Sequence, residues 1–390
     1  MIGTRVLLLL VAALLGLAAC GAATGESAAA SSPSPPTSLP PTSPPPAPAL
    51  PPPPPAQDRA EPALAYALAS GARAVVVRNA AGVLAEGYGA GAPDLGEPLA
   101  SGSKSFTCPL MLLAEADGLL RIDQLASTAL PQWRAGGVAP GLEWKAGIRV
   151  DNLLSMTAGL ANDGASGAAL DTVDSYAQAI MDRSVETADR KFRYGPNSFQ
   201  AALALFQMAT GGVARADGGV DGGRDPLDYL ADRLFGPLGI APTGWARDAR
   251  GQPNFGGGAA MTARHWARYG QFLLDDGRAG DRQLLAPGAL ARCTGYRNPA
   301  FLPYGLGFWL NRDAGGSVGP DDMVPVPGEV RRRREEGGRY APSVPESMAF
   351  AWGAGNAKLF LLPSHGLVAV KIGGGGDDDL FLGLLIGTRD

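Results

Sequence analysis

The sequence predicts a mixed α/β (α+β) fold: one antiparallel sheet built from both chain ends, flanked by helices, with a helical lobe inserted at about residues 105–260. Three observations lead there. A hairpin pattern opens the globular part of the chain, a second lies near its C-terminus, and the periodicity between them is mostly helical.

The elements follow in order. Residues 1–19 carry one charge at Arg5, then an apolar run from Val6 to Leu15 that ends in small residues, the layout of an export signal. They end Leu17-Ala18-Ala19-Cys20, which resembles the lipobox of bacterial lipoproteins, in which Cys20 would be diacylated. Two acyl chains suffice for stable anchoring where one is marginal. Residues 20–57 then form a tether: 14 of the chain's 34 prolines fall between Pro33 and Pro55, a composition that cannot bury enough surface to fold and favours an extended polyproline spacer. Residues 58–390 are left as one globular domain, large enough to bury roughly three quarters of its unfolded surface.

Within that domain, residues 73–79 and 83–88 read as two strands around the turn Asn79-Ala80-Ala81-Gly82. Residues 103–117 have apolar side chains at helical spacing, which Leu119, Ile122 and Leu125 extend. Leu227, Leu230, Leu234 and Phe235 form a further helical face that Gly236-Pro237 should stop. Residues 358–362 and 367–372 form the second hairpin around Pro363-Ser364-His365-Gly366. Between 315 and 345 the chain is rich in Pro and Gly and carries Arg331 to Arg334 in a row, a solvated insertion. Asp377 to Asp379 should cap a last helix over 380–387.

Composition excludes several functions. A net charge of −4 without a basic face argues against nucleic-acid binding. Three cysteines are too few for a disulfide scaffold, and the two histidines, His265 and His365, have no ligand spacing around them, so neither a metal nor a cofactor is expected. Cys108 and Cys293 read as buried thiols, although an oxidising compartment also permits a disulfide. An α/β-hydrolase nucleophile elbow is not supported: the G-x-S-x-G match, Gly315-Gly316-Ser317-Val318-Gly319, falls in the Pro- and Gly-rich stretch and not between a strand and a helix pattern. What remains is Ser101-Gly102-Ser103-Lys104 at the start of the first long helix, where one turn places the ammonium beside the hydroxyl. Serine is a weak nucleophile until a base takes its proton, and a desolvated lysine can be that base. Alone, S-x-x-K is a weak signal.

Its neighbours strengthen it. In order come Gly118-Leu119-Leu120-Arg121-Ile122-Asp123, the stretch from Ile148 through Ser155-Met156-Thr157-Ala158-Gly159-Leu160, Phe192-Arg193-Tyr194, Gly256-Gly257-Gly258-Ala259-Ala260-Met261-Thr262, and Tyr304-Gly305-Leu306-Gly307-Phe308-Trp309. This series resembles the serine β-lactamase and penicillin-recognising superfamily, in particular its class C-like hydrolases, which include family VIII esterases and 6-aminohexanoate-dimer hydrolases. The resemblance implies a β-lactamase/transpeptidase-like fold over about residues 60–390. It also implies Ser101 as acylated nucleophile, Lys104 as partner in the base system, and Tyr194 as proton shuttle, with the Lys104 cation favouring the phenolate. Two departures stand out. The second motif reads Tyr194-Gly195-Pro196-Asn197, with Asn197 one place late. The third reads Ala351-Trp352-Gly353-Ala354, in which the family's cation is lost. Asn197, Trp352, Gly353 and Ala354 are the expected substrate and oxyanion contacts, with Trp352 offering an apolar face to acyl groups.

The expectation is an exported, lipid-anchored serine hydrolase of the cell envelope, facing the periplasm or exterior. It would act on a small-molecule or peptide-like carboxylic ester or amide and touch the membrane through its N-terminal lipid. A β-lactamase, a D-alanyl-D-alanine carboxypeptidase and a catalytically silent envelope-binding protein on the same fold are the alternatives. An arginine of the 331–334 run could also stand in for the missing cation.

Overall fold

A computed structural model describes residues 56–89, 94–134, 143–165, 167–296, 298–313 and 338–389. The signal, Cys20, the tether up to residue 55 and the run Arg331 to Arg334 lie outside them; the tether's expected last residues, Ala56 and Gln57, instead begin a helix, Ala56–Ala69.

The sheet is six-stranded and antiparallel. Its strands are β1 (Ala72–Asn79), β2 (Gly82–Tyr88), β3 (Trp309–Leu310), β4 (Ala349–Gly353), β5 (Ala357–Leu362) and β6 (Leu367–Gly373). The order is β3-β4-β5-β6-β1-β2, so β1 from the start of the domain pairs with β6 from its end, Val76 opposite Val370. Both hairpins predicted from sequence are present. The run Val75-Val76-Val77 is wholly buried because helices cover both faces.

One face carries α1 (Ala56–Ala69) and the C-terminal helix. Leu64 and Leu68 of α1 lie so close to Gly87 that a Cβ there would come within 2.9 Å of both. The other face carries the helix Ala263–Leu274, which approaches at Gly270, where a Cβ would come within 2.7 Å of Leu359 and Val368. A side chain there would separate helix from sheet.

Between the sheet's halves, a 3-10 segment Ala100–Phe106 leads into α2 (Thr107–Ala116). The predicted helix therefore ends early, at Gly118 with φ +72°; Leu120 and Ile122 are buried in the loop beyond it, whereas Leu125 is exposed. The inserted lobe is less helical than its periodicity suggests: from there to residue 196 its elements are a few residues each, and its main helix is α3 (Asn197–Ala209). Gly236-Pro237 does not stop its helix. A π-turn at Ala231–Phe235 precedes them, and the chain stays helical to Leu238, ending at left-handed Gly239.

Cys108 and Cys293 are not free thiols but a disulfide, with Cα atoms 6.0 Å apart. Position 108 faces the helical turn Ala291–Thr294, where both sulfurs are fully buried. At the C-terminus, Asp377 caps the helix Asp378–Ile386 by accepting from the Asp379 amide at 2.9 Å. Asp378 does something else. It sits between the buried ammoniums of Lys358 and Lys371, and although burial raises its pKa, the two lysines hold its carboxyl below the usual range.

Candidate active site

The 3-10 segment presents Ser101 from a strained turn. Ala100 has φ +45°, a conformation costly for a residue with a Cβ. The strain is held from three sides. Ser103 Oγ donates to the Ala100 carbonyl at 2.7 Å and accepts from the Ala259 amide at 2.9 Å, which ties the turn to the Gly256–Met261 stretch. The Leu99 amide donates to the Ala259 carbonyl at 2.8 Å. Gly353 of β4 packs against the same turn, where a Cβ would lie 1.9 Å from the Leu99 carbonyl oxygen. Only glycine fits.

Lys104, one turn on, is buried, and its Nζ donates to Ser101 Oγ at 3.0 Å and to the Gly256 carbonyl at 2.5 Å. Burial pulls its pKa from 10.5 down to about 7. Tyr194 completes the group. Its hydroxyl is hydrogen-bonded to Ser101 and its ring centroid lies 4.9 Å from Lys104 Nζ. Burial pushes its pKa up to about 12, outweighing the Ser101 hydrogen bond that favours the phenolate. This corrects one expectation. In the resting site the lysine, not the tyrosine, is the group that loses its proton near neutral pH.

The motif series explains how Tyr194 gets there. The Arg193 amide donates to the carbonyl of Met156, in the Ser155-Met156-Thr157 stretch, at 2.9 Å. Gly195 passes so close to Asn162 that a Cβ would lie 1.8 Å from its carbonyl oxygen. Trp309 stacks on the Tyr194 ring at 5.6 Å. Gly307, at φ +84°, lets the preceding turn touch the Lys104 carbonyl.

These groups open onto a cleft of about 610 Å³, lined in part by Ser101, Lys104, Tyr194, Asn254, Gly257 and Ala354. Two residues expected in it are elsewhere. Asn197 begins α3, is buried, hydrogen-bonds Asp182, and lies directly beneath Gly164, where a Cβ would meet its Oδ1 at 1.7 Å. Trp352 is on the opposite face of β4 from Gly353, because strand side chains alternate. There it packs on Lys358, with Nζ 4.8 Å from the ring centroid, and on Tyr340 and Trp309. Gly353 supports the nucleophile turn, and Ala354 is the residue of that motif that reaches the cleft.

Sequence reasoning assigned no role to Asn162, Asp163, Asn254 or the Gly256 carbonyl, although the glycine run 256–258 marks the last. The charged side chains lining the cleft, among the described residues, are Lys104 and Asp163, and Asp163 is paired with Arg183 at 3.3 Å. No group of histidines, cysteines and carboxylates among the described residues could hold a metal ion. His265 instead lies against the carbonyl of Ala241 at 3.1 Å.

The sequence profile of the family Beta-lactamase matches residues 57–372. The chain belongs to the β-lactamase family. It is a serine hydrolase of that family, with the β-lactamase/transpeptidase-like fold expected from its motifs. Solved structures share this fold at low sequence identity. A penicillin-binding protein homologue from Caulobacter crescentus is 17% identical, over 82% of this chain and 92% of that chain, with a TM-score of 0.58. A β-lactamase from Mycobacterium bovis is 18% identical, over 82% and 94%, with a TM-score of 0.52. A D-stereospecific amidohydrolase from Streptomyces sp. is 16% identical, over 85% and 98%, also with a TM-score of 0.52. No curated protein sequence matches the chain.

Proposed function

We propose that this hydrolase cleaves carboxylic esters or amides that lack a recognition carboxylate, through an acyl-enzyme on Ser101. The observation that carries the reading is the contact of Ser101 Oγ with both Lys104 Nζ and the Tyr194 hydroxyl at the mouth of the cleft. Neutral Lys104 takes the Ser101 proton as Oγ attacks the scissile carbonyl. The backbone amides of Ser101 and Ala354, both bordering the cleft, are the donors for the oxyanion that forms. Tyr194, a neutral phenol, passes its proton to the departing alcohol or amine and is reprotonated at the expense of the Lys104 ammonium, which returns both groups to their starting state. Water then cleaves the acyl-enzyme with the same groups acting in reverse.

The substrate class follows from charge. A carboxylate in a partly desolvated cleft needs a paired cation. Ala351 supplies none, and the Lys104 ammonium is engaged by Ser101 and Gly256. Intact-mass spectrometry after reaction with a fluorophosphonate should show one adduct, absent from Ser101→Ala. Short p-nitrophenyl esters should exceed nitrocefin and a D-Ala-D-Ala peptide in kcat/KM. The reverse order would sink the ester or amide reading and point to a cation recruited from elsewhere.

The hydrolase is further proposed to be exported and held in the cell envelope by lipid on Cys20, a reading supported by the apolar run and Leu17-Ala18-Ala19-Cys20. Cys20→Ser should move the protein to the soluble fraction in detergent partitioning, and retention would refute the anchor.

A further inference from the structure

Tyr194 can act only while its hydroxyl meets Ser101, yet no helix or strand carries it; α3 starts only at Asn197. The backbone around it is gripped by Asn162. Asn162 Nδ2 donates to the Arg193 carbonyl at 2.5 Å, and its Oδ1 accepts from the Ser198 amide at 2.9 Å. One carboxamide thus holds the chain on both sides of Tyr194. Between the two grips, Gly195 passes against the Asn162 carbonyl with no room for a Cβ. A carboxamide can do this because it carries a donor and an acceptor side by side; a carboxylate only accepts, and an alkyl side chain does neither.

Asn162 is itself fixed. It is buried and has φ +63°, a left-handed conformation that asparagine tolerates better than most residues with a Cβ. Its amide donates to Asp182 Oδ2 at 2.8 Å, and the buried Asp182 also hydrogen-bonds the Asn197 side chain. The contacts close a ring: Asp182 holds Asn162, Asn162 holds the residues flanking Tyr194, and Asn197 returns to Asp182. Such over-determination is what keeps a strained residue in place. Were only the left-handed backbone needed, glycine would serve as well. Both ends of the carboxamide are instead spent on the segment that carries Tyr194.

We infer that Asn162, held by Asp182, is a positioning residue that keeps the Tyr194 hydroxyl at Ser101 for protonation of the leaving group. This rests on the reading above, in which Ser101 is acylated and Tyr194 gives its proton to the departing alcohol or amine. A weakly basic p-nitrophenolate leaves with little help, whereas an alkoxide needs the proton, so losing the grip should fall on alkyl esters. The test measures kcat/KM, which reports acylation, on p-nitrophenyl butyrate and ethyl butyrate for wild type, Asn162→Gly, Tyr194→Phe and the double variant. Asn162→Gly permits the left-handed backbone and removes both hydrogen bonds. It should lower kcat/KM for ethyl butyrate at least about tenfold more than for the p-nitrophenyl ester. In the Tyr194→Phe background the same change should cost less than about threefold, because the two residues act as one unit. Circular dichroism reports the fold; should Asn162→Gly not fold, Asn162→Asp, which tolerates the same backbone and loses the donor to Arg193, is measured in the same way. A folded variant with no loss, an equal loss on both esters, or a loss repeated in full in the Tyr194→Phe background overturns the assignment. Tyr194→Phe with no leaving-group dependence refutes the role given to Tyr194, and wild type that takes no fluorophosphonate label refutes the hydrolase reading; both results are distinguishable from failure of Asn162 alone.

Discussion

Lys104 allows the sharpest test of the reading, because its environment sets a pH at which the enzyme should switch on. The ammonium hydrogen-bonds the Ser101 hydroxyl and the Gly256 carbonyl, with no carboxylate paired to it among the described residues, and burial brings its pKa to about 7. If the neutral amine is the base, kcat/KM for an ester follows its deprotonated fraction. That fraction is about 1% at pH 5, half at pH 7 and nearly complete at pH 9, so kcat/KM should rise roughly 100-fold from pH 5 to pH 9. Tyr194, at about 12, adds no limb in that range. Initial rates on a p-nitrophenyl ester, corrected for the ionisation of the product, give the profile. Lys104→Arg, which cannot deprotonate, should lose at least 10³-fold at every pH. An acid limb near 5, or a profile unchanged in a Lys104→Met enzyme that still turns over, would refute the assignment.

The same shift bears on stability. With a folded pKa near 7 and an unfolded one near 10.5, the unfolded chain binds more protons between those values. Lys104 therefore makes the fold more stable as pH rises from 7 to 10.5, and it opposes folding most below 7. Lys104→Met should remove that slope from denaturant midpoints measured across the window.

Three further outcomes follow from named contacts. Tyr194→Phe keeps the ring that stacks on Trp309 but loses the hydroxyl, so kcat should fall about 10²-fold or more while the melting temperature barely moves. Asp378→Asn leaves Lys358 and Lys371 buried without their carboxylate and should cost about 3–5 kcal/mol in chemical denaturation. Removing the disulfide by the double change Cys108→Ser, Cys293→Ser frees a crosslink spanning 185 residues, which should cost about 3–5 kcal/mol, read as a lower denaturant midpoint.

Much of this fold is legible in the sequence because its hairpins are local. Residues 73–88 and 358–372 carry both their strand pattern and their turns within reach of one another, and the apolar run at Val75 to Val77 shows that β1 is central. Helix ends are less legible. The apolar residues Leu120 and Ile122 keep the helical rhythm past Ala116 because the core needs them, not because the backbone is helical there. The disulfide is illegible for another reason: nothing in the sequence near Cys108 says which distant turn it faces.

The candidate site divides the same way. Ser101, Lys104 and Tyr194 are readable as a set because motif order brings them together, and the structure gathers them at one cleft. Residue positions within the second and third motifs mislead because facing depends on single-residue steps. One step along a strand reverses the face, so Trp352 packs on Lys358 while Gly353 touches the nucleophile turn. One step at the entry of a helix turns a side chain by about 100°, and Asn197, one place late, points beneath Gly164 to Asp182 instead of into the cleft. Asn254, which no motif marks, lines the cleft from a stretch 57 residues further on, its backbone fixed by Ala246, Gly258 and Trp245. A sequence pattern can mark where the nucleophile and its base are. Which side chain greets the substrate is decided by packing between segments far apart in the chain.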